Sequence, residues 1–269
     1  MTATTRATLS FESRPKGKVA RLTLDNPAKL NILTPDALLR LTDLVRSLQN
    51  EKEIRAAVLT GAGTKAFCGG VDIATLGGLN AASAREFITL IHEACAALRA
   101  CPVPVVARIN GWCIGGALEL AAACDLRIAA DTASFSMPEV RLGIPSVVEA
   151  ALLPRLVGSG RARWLVMTGE AISALQASQW GLIDKVVKPK QLEATLNSTL
   201  DLILEGGPEA MRAQKRLCKL WEEAPLAESV RASIDEFAAS YESEEPRKRI
   251  DAFRRARKKV KPGSPRSRG

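Results

Sequence analysis

Histidine, paired cysteines and long apolar runs are what this sequence has least of, and each shortage removes a class of function. His92 is the one histidine among 269 residues. It lies in the segment Ala84–Arg99, where Phe87, Ile88, Ile91, Ala94, Cys95 and Leu98 recur at helical spacing, so it reads as a structural residue on a helix. A Ser-His-Asp or Cys-His mechanism would have to use this ring, and no GxSxG turn accompanies it. The six cysteines, Cys68, Cys95, Cys101, Cys113, Cys124 and Cys218, form no CxxC pair, which with a lone histidine argues against a zinc site. They read as reduced thiols of a cytoplasmic protein. No apolar run approaches the roughly 18 residues that span a bilayer, and the opening stretch MTATTRATLSFESRPKGK has no hydrophobic signal core. Aromatic residues make up only 4% of the chain, so the core should be aliphatic.

What remains is the composition of a globular protein, 46% hydrophobic and 25% charged, long enough for one large domain with a helical appendage. The net charge of +9 belongs to one end. Residues 246–269 hold 11 Lys or Arg against one Asp, a local +10, so residues 1–245 sum to −1. Such a run reads as a solvated helix face followed by a frayed end.

Ala7–Ser13 and Val19–Asp25 alternate around Pro-Lys-Gly-Lys and predict a β-hairpin. Thr34-Pro35-Asp36 opens a helix to about Gln49, with Thr34 as N-cap and Pro35 in the first position. Strands at Arg55–Thr60, Val103–Ile109 and Leu126–Ala130 alternate with helices at Ser83–Arg99 and Gly115–Ala123. This order predicts an α/β fold with parallel pairings and active loops at strand ends. Beyond about Gly169 only Lys185–Val187 reads as strand, and helical patterns cover Gln191–Leu204, Pro208–Leu220, Leu226–Ala239 and Pro246–Lys259. The expected organisation is a core domain over residues 1–195, a helical region over 196–261 and a disordered basic tail over 262–269.

Two glycine-rich elements follow strands: Lys65-Ala66-Phe67-Cys68-Gly69-Gly70-Val71-Asp72, and Asn110-Gly111-Trp112-Cys113-Ile114-Gly115-Gly116-Ala117-Leu118-Glu119. Neither is a P-loop or a GxGxxG fingerprint. Both can bring bare backbone N–H groups close to a ligand, and Gly115-Gly116 also opens a helix, whose free N–H groups favour negative charge. Two such donors from separate loops would form an oxyanion hole for a thioester carbonyl on its way to an enolate. Gly116→Val should obstruct that oxygen, with Gly111→Ala the milder change. Glu119 lies within the apolar stretch Ala117–Ala123 and Glu139 follows Met137-Pro138. A carboxylate facing an apolar pocket has its pKa raised and can exchange protons near neutrality.

The segments NPAKLNILTPDAL, KAFCGGVDI, CPVPVVARINGWCIGGALELAAACDLRIA and SFSMPEVRLGIP resemble the crotonase, or enoyl-CoA hydratase/isomerase, superfamily, in its order and spacing, from about residue 18 to residue 261. The resemblance implies a crotonase-like superhelix of stacked ββα turns with two roughly perpendicular sheets. It also implies a C-terminal helical trimerisation region, and a homotrimer or a hexamer built as a dimer of trimers. By position it assigns Gly69 and Gly116 to the oxyanion hole. Glu119 becomes the group that activates water, and Glu139 the donor of the α-carbon proton. Ala28, Lys29, Leu30, Ala66, Gly69, Gly70, Val71, Asp72 and Ile73 would edge the coenzyme A site. The substrate would be an acyl-CoA thioester, with coenzyme A part of that substrate and no separate cofactor or metal. Both glutamates are kept, which favours hydration of a trans-2-enoyl-CoA over the family's other reactions, namely isomerisation, decarboxylation, retro-aldol cleavage and hydrolysis.

Two departures stand out. The family's Gly-Gly-Gly becomes Gly115-Gly116-Ala117, and its glycine-rich segment after Ile144-Pro145 becomes Ser146-Val147-Val148-Glu149. Glu149 reads either as a helix N-terminal residue favoured by the dipole or as an extra carboxylate near the site. The alternative from another class is a nucleic-acid-binding protein on a hydratase-like fold, suggested by the basic tail. Phe253, the tail's only aromatic residue, makes no stacking platform for it. Acyl length would be set by the loop Ile73–Ala82 and the C-terminal helices.

Overall fold

The computed structural model describes residues 4–259; the tail assigned to 262–269 lies outside them. The hairpin forms as expected from β1 (Arg6–Arg14) and β2 (Gly17–Asp25), paired antiparallel. Helix α1 (Pro35–Ser47) is capped by the Thr34 hydroxyl, which accepts the Ala37 N–H at 3.3 Å, and Pro35 occupies its first turn.

Three ββα turns follow. The first is β3 (Ile54–Gly61), β4 (Ala66–Cys68), α2 (Ile73–Gly77) and α3 (Ala81–Ala100). The second is β5 (Val105–Ile109), β6 (Trp112–Ile114) and α4 (Gly116–Ala122). The third is β7 (Leu126–Ala130), β8 (Ser134–Ser136) and a 3-10 turn at Glu139–Leu142. Then come α5 (Leu153–Val157), α6 (Ser159–Thr168), β9 (Ile172–Ser173), α7 (Ala174–Gln179), β10 (Lys185–Val187) and α8 (Leu192–Glu205).

The first strand of each turn enters a six-stranded sheet of order β1-β2-β3-β5-β7-β10, parallel beyond the hairpin. The second strand enters a smaller sheet of order β4-β6-β8-β9. Repetition of strand, short strand, helix is thus what generates two sheets from one chain, the α/β architecture that the resemblance implied. The core is aliphatic as the composition required: Leu22, Leu24, Leu38, Leu41 and Leu59 are fully buried, and Phe67, Phe87 and Phe135 are the aromatic residues of the buried cluster. Each such leucine contributes about 1.5–3 kcal/mol by leaving water.

Residues 4–205 make one compact unit and 206–259 belong to a second. The second is helical, α9 (Pro208–Glu223), α10 (Leu226–Ser240) and α11 (Glu245–Lys259). Within it the Glu245 carboxylate accepts the N–H groups of Glu209 and Ala210 at 3.1 and 3.1 Å, satisfying donors that the first turn of α9 leaves free.

Candidate active site

Strands β4, β6 and β8 run parallel, with Cys68 beside Cys113 and Cys113 beside Phe135. The chain therefore leaves all three at the same edge, and Gly69–Asp72, Gly115–Glu119 and Met137–Glu139 emerge side by side. The carboxyl ends of parallel strands are where α/β sheets gather ligand-binding loops. Two asparagines that the sequence reading passed over tie the first loop down. Asn31 is buried at φ 56 and donates from Nδ2 to the Ala62 and Ala66 carbonyls at 3.0 and 3.0 Å. Asn110 Nδ2 donates to the carbonyls of Gly61, Gly63 and Ala66 at 3.1, 2.7 and 3.1 Å.

Gly111 stands against the same loop, and a Cβ there would collide with the Lys65 carbonyl and lie 2.8 Å from the Ala66 nitrogen. Backbone cannot yield as a side-chain end can. The expectation that Gly111→Ala is the milder change is therefore corrected: it should destabilise the fold by on the order of 3 kcal/mol, read as a large drop in Tm.

The loops open on a cavity of about 650 Å3. Its walls are apolar, from Ile73 and Leu76 of α2, Leu79 before α3, Phe87 and Ile88 of α3, and Ile114, so the loop expected to govern acyl length does line the cavity. Glu119 and Glu139 both face it. Glu119 is buried on α4, and its Oε1 accepts the Ala150 N–H at 3.1 Å. Burial pushes its carboxyl up to about 8, helped by the charges of Glu139 and Glu149 and opposed by the Ala150 N–H. Glu139 is also pushed above its ordinary value by burial, against its own backbone N–H and the Ser146 hydroxyl, which donates to its Oε2 at 2.9 Å. Gly115, at φ 57, is where the Glu139 carboxylate rests: a Cβ there would collide with Oε1.

The two expected oxyanion donors fare differently. Gly116 is the first residue of α4, so its N–H has no intrahelical acceptor, and the residue lines the cavity. Gly69 does not serve: its N–H is already given to the Leu30 carbonyl at 2.8 Å. The parallel bridge of Leu33 with Val71 shows why a neighbour is better placed. Leu33 N–H bonds the Gly70 carbonyl at 2.7 Å and Asp72 N–H bonds the Leu33 carbonyl at 3.2 Å, so Val71, lying between, turns its own N–H the other way. Val71 lines the cavity.

Of the expected coenzyme A edge, Gly69, Gly70, Val71 and Ile73 line the cavity, whereas Ala28, Lys29, Leu30, Ala66 and Asp72 do not. Ala28 and Lys29 are exposed on a 3-10 turn, Leu30 receives Gly69, Ala66 is buried under the asparagines, and Asp72 caps α2 by accepting the Thr75 N–H at 3.2 Å. The thiols nearest these loops are poor nucleophiles: burial pushes Cys68 up to about 12 and Cys113 well above its ordinary range. Glu149 does stand in the first turn of a helix, the 3-10 segment Val148–Leu152. It is buried, and its Oε1 lies 2.8 Å from Nδ1 of His92.

Residues 14–261 match the family model for enoyl-CoA hydratase/isomerase. The chain is 35% identical over 242 residues to a crotonyl-CoA hydratase of Syntrophomonas wolfei, covering 90% of this chain and 93% of that one. It is 34% identical to a short-chain-enoyl-CoA hydratase of Clostridium acetobutylicum, covering 90% and 94%. The crystal structure of an enoyl-CoA hydratase from Bacillus anthracis superposes with a TM-score of 0.87 at 31% identity, covering 92% and 96%. With the stacked ββα turns and the paired glutamates already in view, these likenesses place the chain in the enoyl-CoA hydratase/isomerase family.

Proposed function

We propose that the protein is an enoyl-CoA hydratase, adding water across the 2,3 double bond of a trans-2-enoyl-CoA to give the 3-hydroxyacyl-CoA. The observation that carries this reading is the pair Glu119 and Glu139, one buried and one half-buried carboxyl facing one apolar cavity. The Gly116 N–H, joined by Val71 in place of Gly69, takes the thioester oxygen and makes C3 electrophilic. One water sits between the carboxyls. The ionised one takes a proton as the hydroxyl attacks C3, and the protonated one delivers a proton to C2 of the enolate.

The Glu139 charge raises the Glu119 carboxyl, so the two titrations are linked and the pair is treated as a proton-sharing dyad. Burial favours the proton on Glu119 in the empty site, whereas Glu119 as the water activator needs it on Glu139 once substrate is bound; a water bridging the two allows that exchange. The sign of the pH dependence follows. A raised carboxyl holds its proton up to about pH 8, so kcat/KM should fall above that pH as the dyad loses its last proton, and fall again in acid as both carboxyls protonate. A pH-rate profile flat from neutrality to well above pH 8 would contradict a proton-sharing pair.

Coenzyme A enters as part of the substrate, with the Ala28–Leu30 turn at the edge of its site. For the assembly we infer a homotrimer or a hexamer. In support, α10 exposes Leu226, Val230, Ile234 and Phe237 as an apolar stripe, of the kind that marks an interaction face. The family and its free thiols fit a cytoplasmic enzyme, and no helix among the described residues is long and apolar enough to cross a membrane. A turnover screen over trans-2-enoyl-CoA thioesters of increasing length and branching tests the assignment, and dominance of free-acid or shifted-double-bond products would refute it.

A further inference from the structure

One short segment, residues 146–150, holds both acids: Ser146 donates to Glu139 and the Ala150 N–H donates to Glu119. That segment is strained. Val148, β-branched, stands at φ 40, a conformation that persists only where its surroundings enforce it. Between the strained residue and the donor lies Glu149, 6% exposed, outside the cavity lining, with Oε1 2.8 Å from His92 Nδ1 and with no hydrogen-bond partner for Oε2 among the described residues. His92 belongs to α3, one residue beyond Ile91, whose side chain packs beside Gly116. The same helix presents the Cys95 thiol, pushed well above its ordinary range by burial first and by the Glu149 carboxylate beside it.

We propose that His92 and Glu149 are a positioning pair for Glu119, pinning the strained turn to α3 so that the Ala150 N–H meets the Glu119 carboxylate, and setting a fixed negative charge behind it. A buried carboxylate is costly without a partner, and the His92 ring supplies one to Glu149. In turn the Glu149 charge resists ionisation of Glu119 and strengthens it as a base. The groups that face Glu119 are Glu139 from the loop after β8, Glu149 and the Ala150 N–H from the turn, and Cys95 from α3. The charge that responds to His92 is Glu149. This pair rests on the hydratase reading for its effect on rate, but its effect on Glu119 is measurable without turnover.

The test compares Glu149→Gln, His92→Leu and the double variant with wild type. Glu149→Gln keeps an oxygen for His92 and removes the charge, so the alkaline limb of kcat/KM should move to lower pH, and kcat for crotonyl-CoA should fall about tenfold with KM unchanged. His92→Leu should lower both kcat and Tm, and adding Glu149→Gln should restore Tm, because the uncompensated charge is gone. The Glu119 titration is also read from Tm against pH, as the difference between each protein and its own Glu119→Gln derivative. A wild type that hydrates nothing, with that titration still shifted by Glu149→Gln, would sink the function and keep the pair. An unmoved alkaline limb and an unmoved titration, with only Tm altered, would make His92 and Glu149 structural and overturn the proposal. Should Glu149→Gln fail to fold, His92→Gln decides on the same readouts.

Discussion

Glu119→Gln and Glu139→Gln should each cut hydration by on the order of 10²-fold or more while the protein stays folded. Glutamine keeps the shape of each acid and can still accept the Ala150 N–H at position 119 or the Ser146 hydroxyl at 139, so the loops have no reason to move. What is lost is proton exchange with the water and with C2. Circular dichroism and Tm measured beside kcat separate the two effects, and near-normal turnover in either variant would remove that residue from the mechanism. Stability carries a second signature. The native Glu119 carboxyl holds a proton up to about pH 8, far above an unfolded glutamate. The native state therefore binds more protons than the unfolded one between those values, and stability falls as pH rises through the window. Glu119→Gln should lose that decline, becoming relatively more stable than wild type in alkali. Parallel Tm-versus-pH curves for the two proteins would mean that Glu119 titrates normally.

Gly115→Ala should be nearly as damaging as the loss of an acid, although it removes no functional group. Gly115 sits at φ 57, a region that costs a side chain on the order of 1–3 kcal/mol, and the added methyl would occupy the place of Glu139 Oε1. The carboxylate must swing away, and a misplacement of about 1 Å can cost 10²-fold. Gly116→Ala is the control. A Cβ at Gly116 meets the ends of Ile91 and Leu33 at 3.2 and 3.3 Å, flexible atoms that can yield, and reaches Glu119 Oε2 at an ordinary contact distance of 3.7 Å, so that variant should keep most of its activity. Gly116→Val, bulkier beside the thioester oxygen, should not. If Gly115→Ala and Gly116→Ala lost activity equally, the placement of Glu139 over Gly115 would be wrong.

Much of this was legible in the sequence where the signal is local. The Thr34-Pro35 helix start, the hairpin and β3, β5 and β7 of the large sheet were readable because caps, turns and runs of five or more residues leave a periodic trace; of the three-residue strands, β10 alone was also read. The small sheet left none: β4, β6 and β8 are three residues each and β9 is two, too short for alternation to register. The glutamates stood out as carboxyls in apolar company. Which glycine-loop N–H is free did not, since the direction of the Val71 N–H depends on a bridge to Leu33, 38 residues away in the chain. Gly111→Ala read as the milder change because the neighbour of Gly111, the Lys65 carbonyl, is likewise brought there by tertiary structure. Glu149 and His92 were both noticed and their meeting was not, being 57 residues apart on a turn and a helix.

The measurement that bears most directly on the central claim is the reaction of the purified protein with crotonyl-CoA, followed by loss of the conjugated enoyl absorbance and by identification of the product. Hydration by the Glu119–Glu139 pair predicts that the absorbance disappears with 3-hydroxybutyryl-CoA as the product, and that Glu119→Gln and Glu139→Gln abolish most of that loss. Persistence of the absorbance, or its loss with free coenzyme A released or with no 3-hydroxyacyl product, would contradict it.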